Sequence, residues 1–186
     1  APMGLGASDA QIFVQLDGQD DYLTVEDDFS VDFGASDFTV EAWVDLANLS
    51  GNATLFDKRG TDGAGVFAYV DSSGFINLGM SDGDQLNAGG ASTGTISADG
   101  WHHVAISVDR DGNADFYIDG MLSGSADLTD FDGVSLANND PLLIGKAYDD
   151  SDYLQGAIDE IRVWKESRTD LEIAQNYATK IATPSA

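Results

Sequence analysis

The chain has 186 residues, eight basic and thirty-three acidic, with a formal charge of −25 and no cysteine. That length suits one domain with its own core, and so few cations cannot build the basic patch that a phosphate backbone or an anionic membrane surface requires. Without thiols there are no disulfides and no thiolate chemistry, whereas calcium, which prefers carboxylate and carbonyl oxygens, is a natural partner of such a composition.

Residues 1–10, APMGLGASDA, read as a flexible N-terminal segment without the basic and apolar parts of a signal peptide. The domain proper is expected over 11–179, followed by a C-terminal tail over 180–186. These ragged ends fit a module cut from a longer protein. No apolar run approaches the roughly 18 residues that a membrane span needs, so no membrane insertion is expected.

Short alternating runs separated by Gly, Asp, Asn and Ser clusters predict strands over Gln11–Leu16, Tyr22–Val25, Phe38–Leu46, Ala53–Lys58, Val66–Val70, Phe75–Met80 and Ser92–Thr95. They continue over His102–Asp109, Ala114–Ile118, Met121–Asp127, Pro141–Gly145 and Gly156–Lys165, the pattern of an all-β sandwich. Between the eighth and ninth of these, Asp109-Arg110-Asp111-Gly112-Asn113 supplies the turn of a hairpin. His102 and His103 are then strand neighbours pointing to opposite faces, an arrangement that does not let both hold one ion. They read as structural, one of them beside Trp101 at the strand start. Trp43 and Trp101 are expected in the core. Near the end, RTDLEIAQNYAT places Leu171, Ile173, Ala174 and Tyr177 at helical spacing behind Thr169 or Asp170 as cap, which predicts a short C-terminal helix.

The runs FTVEAWV, WHHVA with the following YIDG, and GAIDEIRVW leading into the helix resemble the bacterial laminin G-like branch of the concanavalin A-like lectin/glucanase superfamily. The resemblance covers nearly the whole domain. It implies a jelly-roll sandwich of two curved antiparallel sheets and a sugar- or protein-binding module of the kind attached to adhesins and polysaccharide-degrading enzymes. Fold does not fix function, so the sites need their own argument.

A glycosidase needs two carboxyl groups about 5 to 9.5 Å apart. The related laminarinase-type enzymes carry a compact Glu-x-Asp-x-x-Glu strand, and this chain has no such run. Glu41 and Asp45 stand four positions apart with Trp43 between them, and Glu41 is expected to pair with Arg162 across neighbouring strands. No catalytic residue is assigned. The DRDGNADFYIDG run imitates the opening of an EF-hand, but the residues that follow alternate as a strand.

Two acidic clusters are candidate calcium sites. The resemblance implies that Asp17, with Asp20 and Asp21, meets Asp159 where the first and last strands adjoin. It also implies that Asp62 meets Asp149, Asp150 and Asp152 at a rim; the alternative in both places is a solvated acidic surface. Tyr69, Phe75, Tyr148, Tyr153 and Trp164 are aromatic residues that can stack on sugars or fill the fold, and exposure decides between the two. The loop from Lys146 to Gln155 combines Tyr148, Asp149, Asp150, Asp152 and Tyr153, and is the expected ligand-binding segment. The sequence thus predicts a calcium-binding, non-catalytic module for a glycan or cell-surface ligand, monomeric, extracellular and part of a larger bacterial protein. A glycoside hydrolase or polysaccharide lyase of the same superfamily, and a structural spacer, are the alternatives.

Overall fold

The computed structural model describes residues 13–84, 87–98 and 100–179. The expected flexible segment 1–10, the start of the first strand at Gln11 and the tail 180–186 lie outside the described residues. Twelve strands run in chain order: β1 (Val14–Asp17), β2 (Leu23–Val25), β3 (Phe38–Leu46), β4 (Ala53–Arg59), β5 (Gly65–Val70), β6 (Phe75–Ser81), β7 (Asn87–Thr95), β8 (His102–Val108), β9 (Asn113–Ile118), β10 (Met121–Asp127), β11 (Leu142–Ile144) and β12 (Gln155–Trp164). A 3-10 turn, Thr129–Phe131, follows β10, and helix α1 (Asp170–Asn176) follows β12.

The strands form two six-stranded antiparallel sheets. Sheet A has the order β1-β12-β3-β8-β9-β10 and sheet B the order β2-β11-β4-β5-β6-β7. This is the jelly-roll sandwich, and its cause is the period of two along each strand. In β3 the buried Phe38, Val40, Ala42, Val44 and Leu46 face the core, as do Val104, Ile106 and Val108 of β8. From sheet B, Val66, Ala68 and Val70 of β5 with Ile76, Leu78 and Met80 of β6 close on them. Strand β4 breaks its own alternation with a bulge between Thr54 and Phe56. Leu55 and Phe56 therefore both enter the core, and the register beyond them is reset, so that Asp57 and Arg59 project from the outer face opposite Phe67 and Gly65.

The outer face of sheet A is closed by α1. Thr169 caps the helix in a reciprocal capping box with Glu172. Ile173 is fully buried against Ala105 and Tyr117, while the Tyr117 hydroxyl donates to Asp170 at 2.7 Å. Trp43 Nε1 donates to the Tyr177 carbonyl at 2.9 Å. Trp43 is thus half-buried beneath the helix end and not in the core between the sheets, because it shares the outward phase of β3 with Glu41. Trp101 is also outside that core, with its ring 5.7 Å from that of Phe13.

Under this cover lies a polar cluster. Glu41 is 1 % exposed; its Oε1 accepts from Trp164 Nε1 at 3.0 Å and from Arg162 Nη1 at 3.4 Å. His103 Nε2 stands 3.3 Å from Glu41 Oε2, close enough for charge attraction but misaligned for a hydrogen bond. Burial pushes the Glu41 carboxyl up, but His103, Trp164 and Arg162 together outweigh it and hold the group at about 2, against an ordinary 4.5. His102 points the other way, with Nδ1 3.1 Å from Asp119 Oδ2 and Nε2 3.1 Å from Ser97 Oγ. The two histidines thus point to opposite sides and each meets a different carboxylate.

A second buried polar group sits at the end of β4. Lys58 is 1 % exposed, and its Nζ donates to Asp27 Oδ1 at 2.9 Å, Asn138 Oδ1 at 3.1 Å, the Asn138 carbonyl at 3.2 Å and the Asp140 carbonyl. Asn138 Nδ2 returns a bond to the Lys58 carbonyl at 2.9 Å. One ammonium thus ties the chain after β2 and the loop before β11 to the sheet.

Candidate glycan site on the outer face of sheet B

Where α1 covers sheet A, no helix among the described residues covers sheet B, and the features of its outer face converge over β4 and β5. The bulge in β4 puts Asp57 and Arg59 on this face beside Phe67. Asp57 is fully buried. It accepts from the Arg59 backbone N–H at 3.0 Å, from Arg59 Nε at 3.0 and 3.1 Å, from Arg59 Nη2, and from the Tyr148 N–H at 3.0 Å. The guanidinium is thereby fixed in a fork. It lies 3.7 Å from the centre of the Phe67 ring and 4.3 Å from that of Tyr148, a cation held between two aromatic faces. Phe67 in turn stacks on Tyr69, with ring centres 6.0 Å apart and planes inclined by 7°. The platform has room because residue 79 on the neighbouring β6 is glycine: a Cβ there would sit 2.4 Å from the Phe67 ring.

The loop between β11 and β12 forms a wall above this platform. It is shaped by an Ala147 N–H bond to the Ser151 carbonyl at 3.0 Å and by two left-handed residues, Asp150 (φ 60°) and Asp152 (φ 49°). The Thr54 N–H donates to the Asp152 carbonyl at 3.0 Å, and Asn52 Nδ2 donates to Asp152 Oδ2 at 3.3 Å. Together they enclose a concavity of about 220 Å³, floored by Thr54, Arg59, Phe67 and Tyr69 and walled by Asn52, Asp149, Ser151 and Asp152. Such a site offers an apolar ring face, a fixed donor and exposed acceptors together, which is what a polyhydroxylated ring with one C–H face can use.

Of the loop residues that the sequence singles out, Asp149 and Asp152 line the concavity. Tyr148 clamps Arg59 from above, and Asp150 is engaged by the Lys146 ammonium. Tyr153 is half-buried and outside the lining. Trp164 belongs to the Glu41 cluster, and Phe75 lies further along the outer face of sheet B. Arg59 and Phe67 were not expected. Their signal is faint: Arg59 is one of eight cations in a strongly acidic chain, and its outward position depends on a bulge that periodicity does not reveal.

The acidic residues proposed for metal do not meet in the expected way. Among the described residues, the side chains that place three ligand oxygens within 4.8 Å of one another are Asp17, Asp20 and Asp21, all exposed. Asp159 is not with them. In the antiparallel pairing of β1 with β12, Asp17 lies opposite Gln155 and Val14 opposite Ile158, so Asp159 stands at the far end of β1, roughly 13 Å along the strand. Asp17 Oδ1 accepts from the Gln19 N–H at 2.8 Å and the Asp20 N–H at 3.3 Å, and these bonds, led by Gln19, hold its carboxyl below the usual range. The hard oxygen set suits calcium in kind, while the turn itself already engages both Asp17 oxygens, Oδ2 through Gln19 Nε2 at 3.4 Å. Asp62 does not join Asp149, Asp150 and Asp152; it crowds Gly60 together with Asp140, a Cβ at Gly60 being 2.9 Å from Asp62 Oδ1 and 3.1 Å from Asp140 Oδ2.

Solved structures share this architecture. The binding domain of Paraclostridial Mosquitocidal Protein 1 superposes with a TM-score of 0.72 at 18% identity, over 89% of this chain and 42% of that one. The botulinum neurotoxin serotype D ligand-binding domain in complex with N-acetylneuraminic acid gives 0.67 at 18%, over 87% and 40%. The CBM40 of the Ruminococcus gnavus IT-sialidase, bound to α2,3 sialyllactose, gives 0.66 at 13%, over 84% and 96%. The chain thus spans less than half of the toxin domains but nearly all of the sialidase module. A search of curated proteins finds no match. The Laminin_G_3 family profile matches residues 17–174, which run from the last residue of β1 through β12 into α1, and the chain belongs to this family of the concanavalin A-like lectin/glucanase superfamily.

Proposed function

We propose that the protein is a non-catalytic glycan-binding module and that the concavity over β4 and β5 is its binding site. The observation that carries this reading is the stacked pair Phe67 and Tyr69 beside a guanidinium that is already fixed, under a loop that presents exposed carboxylates. Preorganised polar groups around an aromatic platform bind a ligand without first having to be ordered. Two of the structures that share the fold hold sialic acid or a sialylated sugar, which adds support from fold alone. The non-catalytic part is supported by Glu41, the acid in the middle of sheet A, being sealed under α1 by Arg162 and Trp164. An extracellular setting, as part of a larger protein, belongs to the same reading, as does calcium at Asp17, Asp20 and Asp21.

The test is a glycan array followed by calorimetric titration of the strongest binder, with the Tyr69→Ala variant beside the parent. Loss of the ring is expected to weaken binding at least tenfold, about 1.4 kcal/mol, with the melting temperature little changed. Unaltered affinity in the variant would place the ligand elsewhere. Reducing-sugar release from a polysaccharide panel would replace the module with a hydrolase.

A further inference from the structure

Resting on the glycan-binding reading, we infer that this site selects uncharged sugars and rejects carboxylate-bearing ones, the reverse of what the sialic acid complexes among its structural neighbours suggest. The inference turns on where each cation near the concavity spends its charge. Arg59 is the cation in the lining. Its fork is filled by Asp57, a carboxylate without solvent exposure that also takes the Tyr148 N–H and so cannot swing away for a ligand. Lys146 at the start of the loop is bound by Asp150 and lies 4.2 Å from the Tyr22 ring. Lys58, the next residue to Asp57, is enclosed on the inner side by Asp27, Asn138 and Asp140. None of the three offers an open carboxylate site.

What remains at the wall is acidic. Asp149 accepts from Ser151 Oγ and Asp152 from Asn52 Nδ2, both uncharged donors. Among the described residues no cation pairs with either carboxylate, and both residues are exposed. A ligand carboxylate entering here meets two like charges at short range and a guanidinium whose charge is already balanced, on a chain of net charge −25. Hydroxyl groups meet the opposite situation. They can donate to Asp149 and Asp152 in charge-assisted bonds, accept from Arg59 Nη1, which lies outside the fork to Asp57, and leave a C–H face for Phe67 and Tyr69.

The experiment is an array of neutral and acidic glycans. It is followed by titration of the best neutral binder against its counterpart carrying one sialic or uronic acid, at low and physiological salt, with the parent and an Asp149→Asn/Asp152→Asn variant. The acidic counterpart is expected to bind at least tenfold more weakly than the neutral sugar at low salt. That gap should narrow as salt screens the wall and should close to within about threefold in the double variant. Preference of the parent for the acidic sugar, or a gap that the double variant leaves unchanged, would overturn the selectivity while keeping the glycan-binding module. Binding to no glycan at all would overturn the module reading, and the selectivity with it.

Discussion

Replacing Glu41 with glutamine keeps the shape of the side chain and removes its charge from a closed cluster. Despite its burial, the carboxylate is held at about 2 instead of 4.5 because His103 faces it and Trp164 and Arg162 bond it. At about 1.4 kcal/mol for each factor of ten in proton affinity, that depression stabilises the folded state by about 3 kcal/mol at neutral pH. Because the folded value is the lower one, the contribution is complete above pH 4.5 and is lost as pH falls through about 2. At pH 3 less than half of it should remain. Urea unfolding followed by tryptophan fluorescence, in which Trp43 and Trp164 report on this face, measures the parent and Glu41→Gln at both pH values. The variant should be less stable by about 3 kcal/mol at pH 7, and the difference should roughly halve at pH 3. A gap below about 0.5 kcal/mol at pH 7 would show that the cluster repays only its own desolvation. An equal gap at both pH values would assign the loss to packing instead of charge.

Two other perturbations address the polar anchors. Lys58→Met removes the ammonium from four oxygen acceptors and leaves Asp27 without its partner. Its melting temperature should fall by roughly 6 to 12 °C, about 3 kcal/mol, and a fall under about 2 °C would mean that water serves those oxygens equally well. If Asp17, Asp20 and Asp21 hold calcium with the millimolar affinity usual for exposed sites, 10 mM calcium should stabilise the fold by about 1.4 kcal/mol relative to chelator, and Asp17→Asn should abolish the effect. A midpoint indifferent to calcium in the parent removes the ion from the proposed function.

Much of the sandwich was legible because its strands are amphipathic in the simplest way. Phe38–Leu46 has the bounds that alternation and turn residues predict, and Met121–Asp127 has its expected bounds although a bulge between Leu122 and Ser125 interrupts its pattern. Strand β7 begins at Asn87, five residues before the expected Ser92, because Asn-Ala-Gly-Gly-Ala carries no large apolar side chain to alternate. Its backbone runs tightly along β6, where Gly89 lies so close that a Cβ would be 2.2 Å from the Leu78 carbonyl oxygen. The Glu41–Arg162 contact was also legible, since register pairs these residues directly. Of the candidate site, Asp149 and Asp152 lie in the loop that composition singled out. The placement of Arg59 over Phe67 depends on an irregularity in β4, and the separation of Asp17 from Asp159 depends on strand direction and offset; neither is written in local residue types.

The closure of sheet A by α1 gives the domain a front and a back. The described chain enters beside β1 at the rim of sheet A, where Phe13 meets Trp101, and leaves beyond α1, where the Thr179 carbonyl accepts from Arg162 on the same sheet. The concavity over β4 and β5 opens from the opposite layer. Both described ends thus lie on the layer that α1 covers and the aromatic platform lies on the other, so the described ends and the platform do not compete for one face.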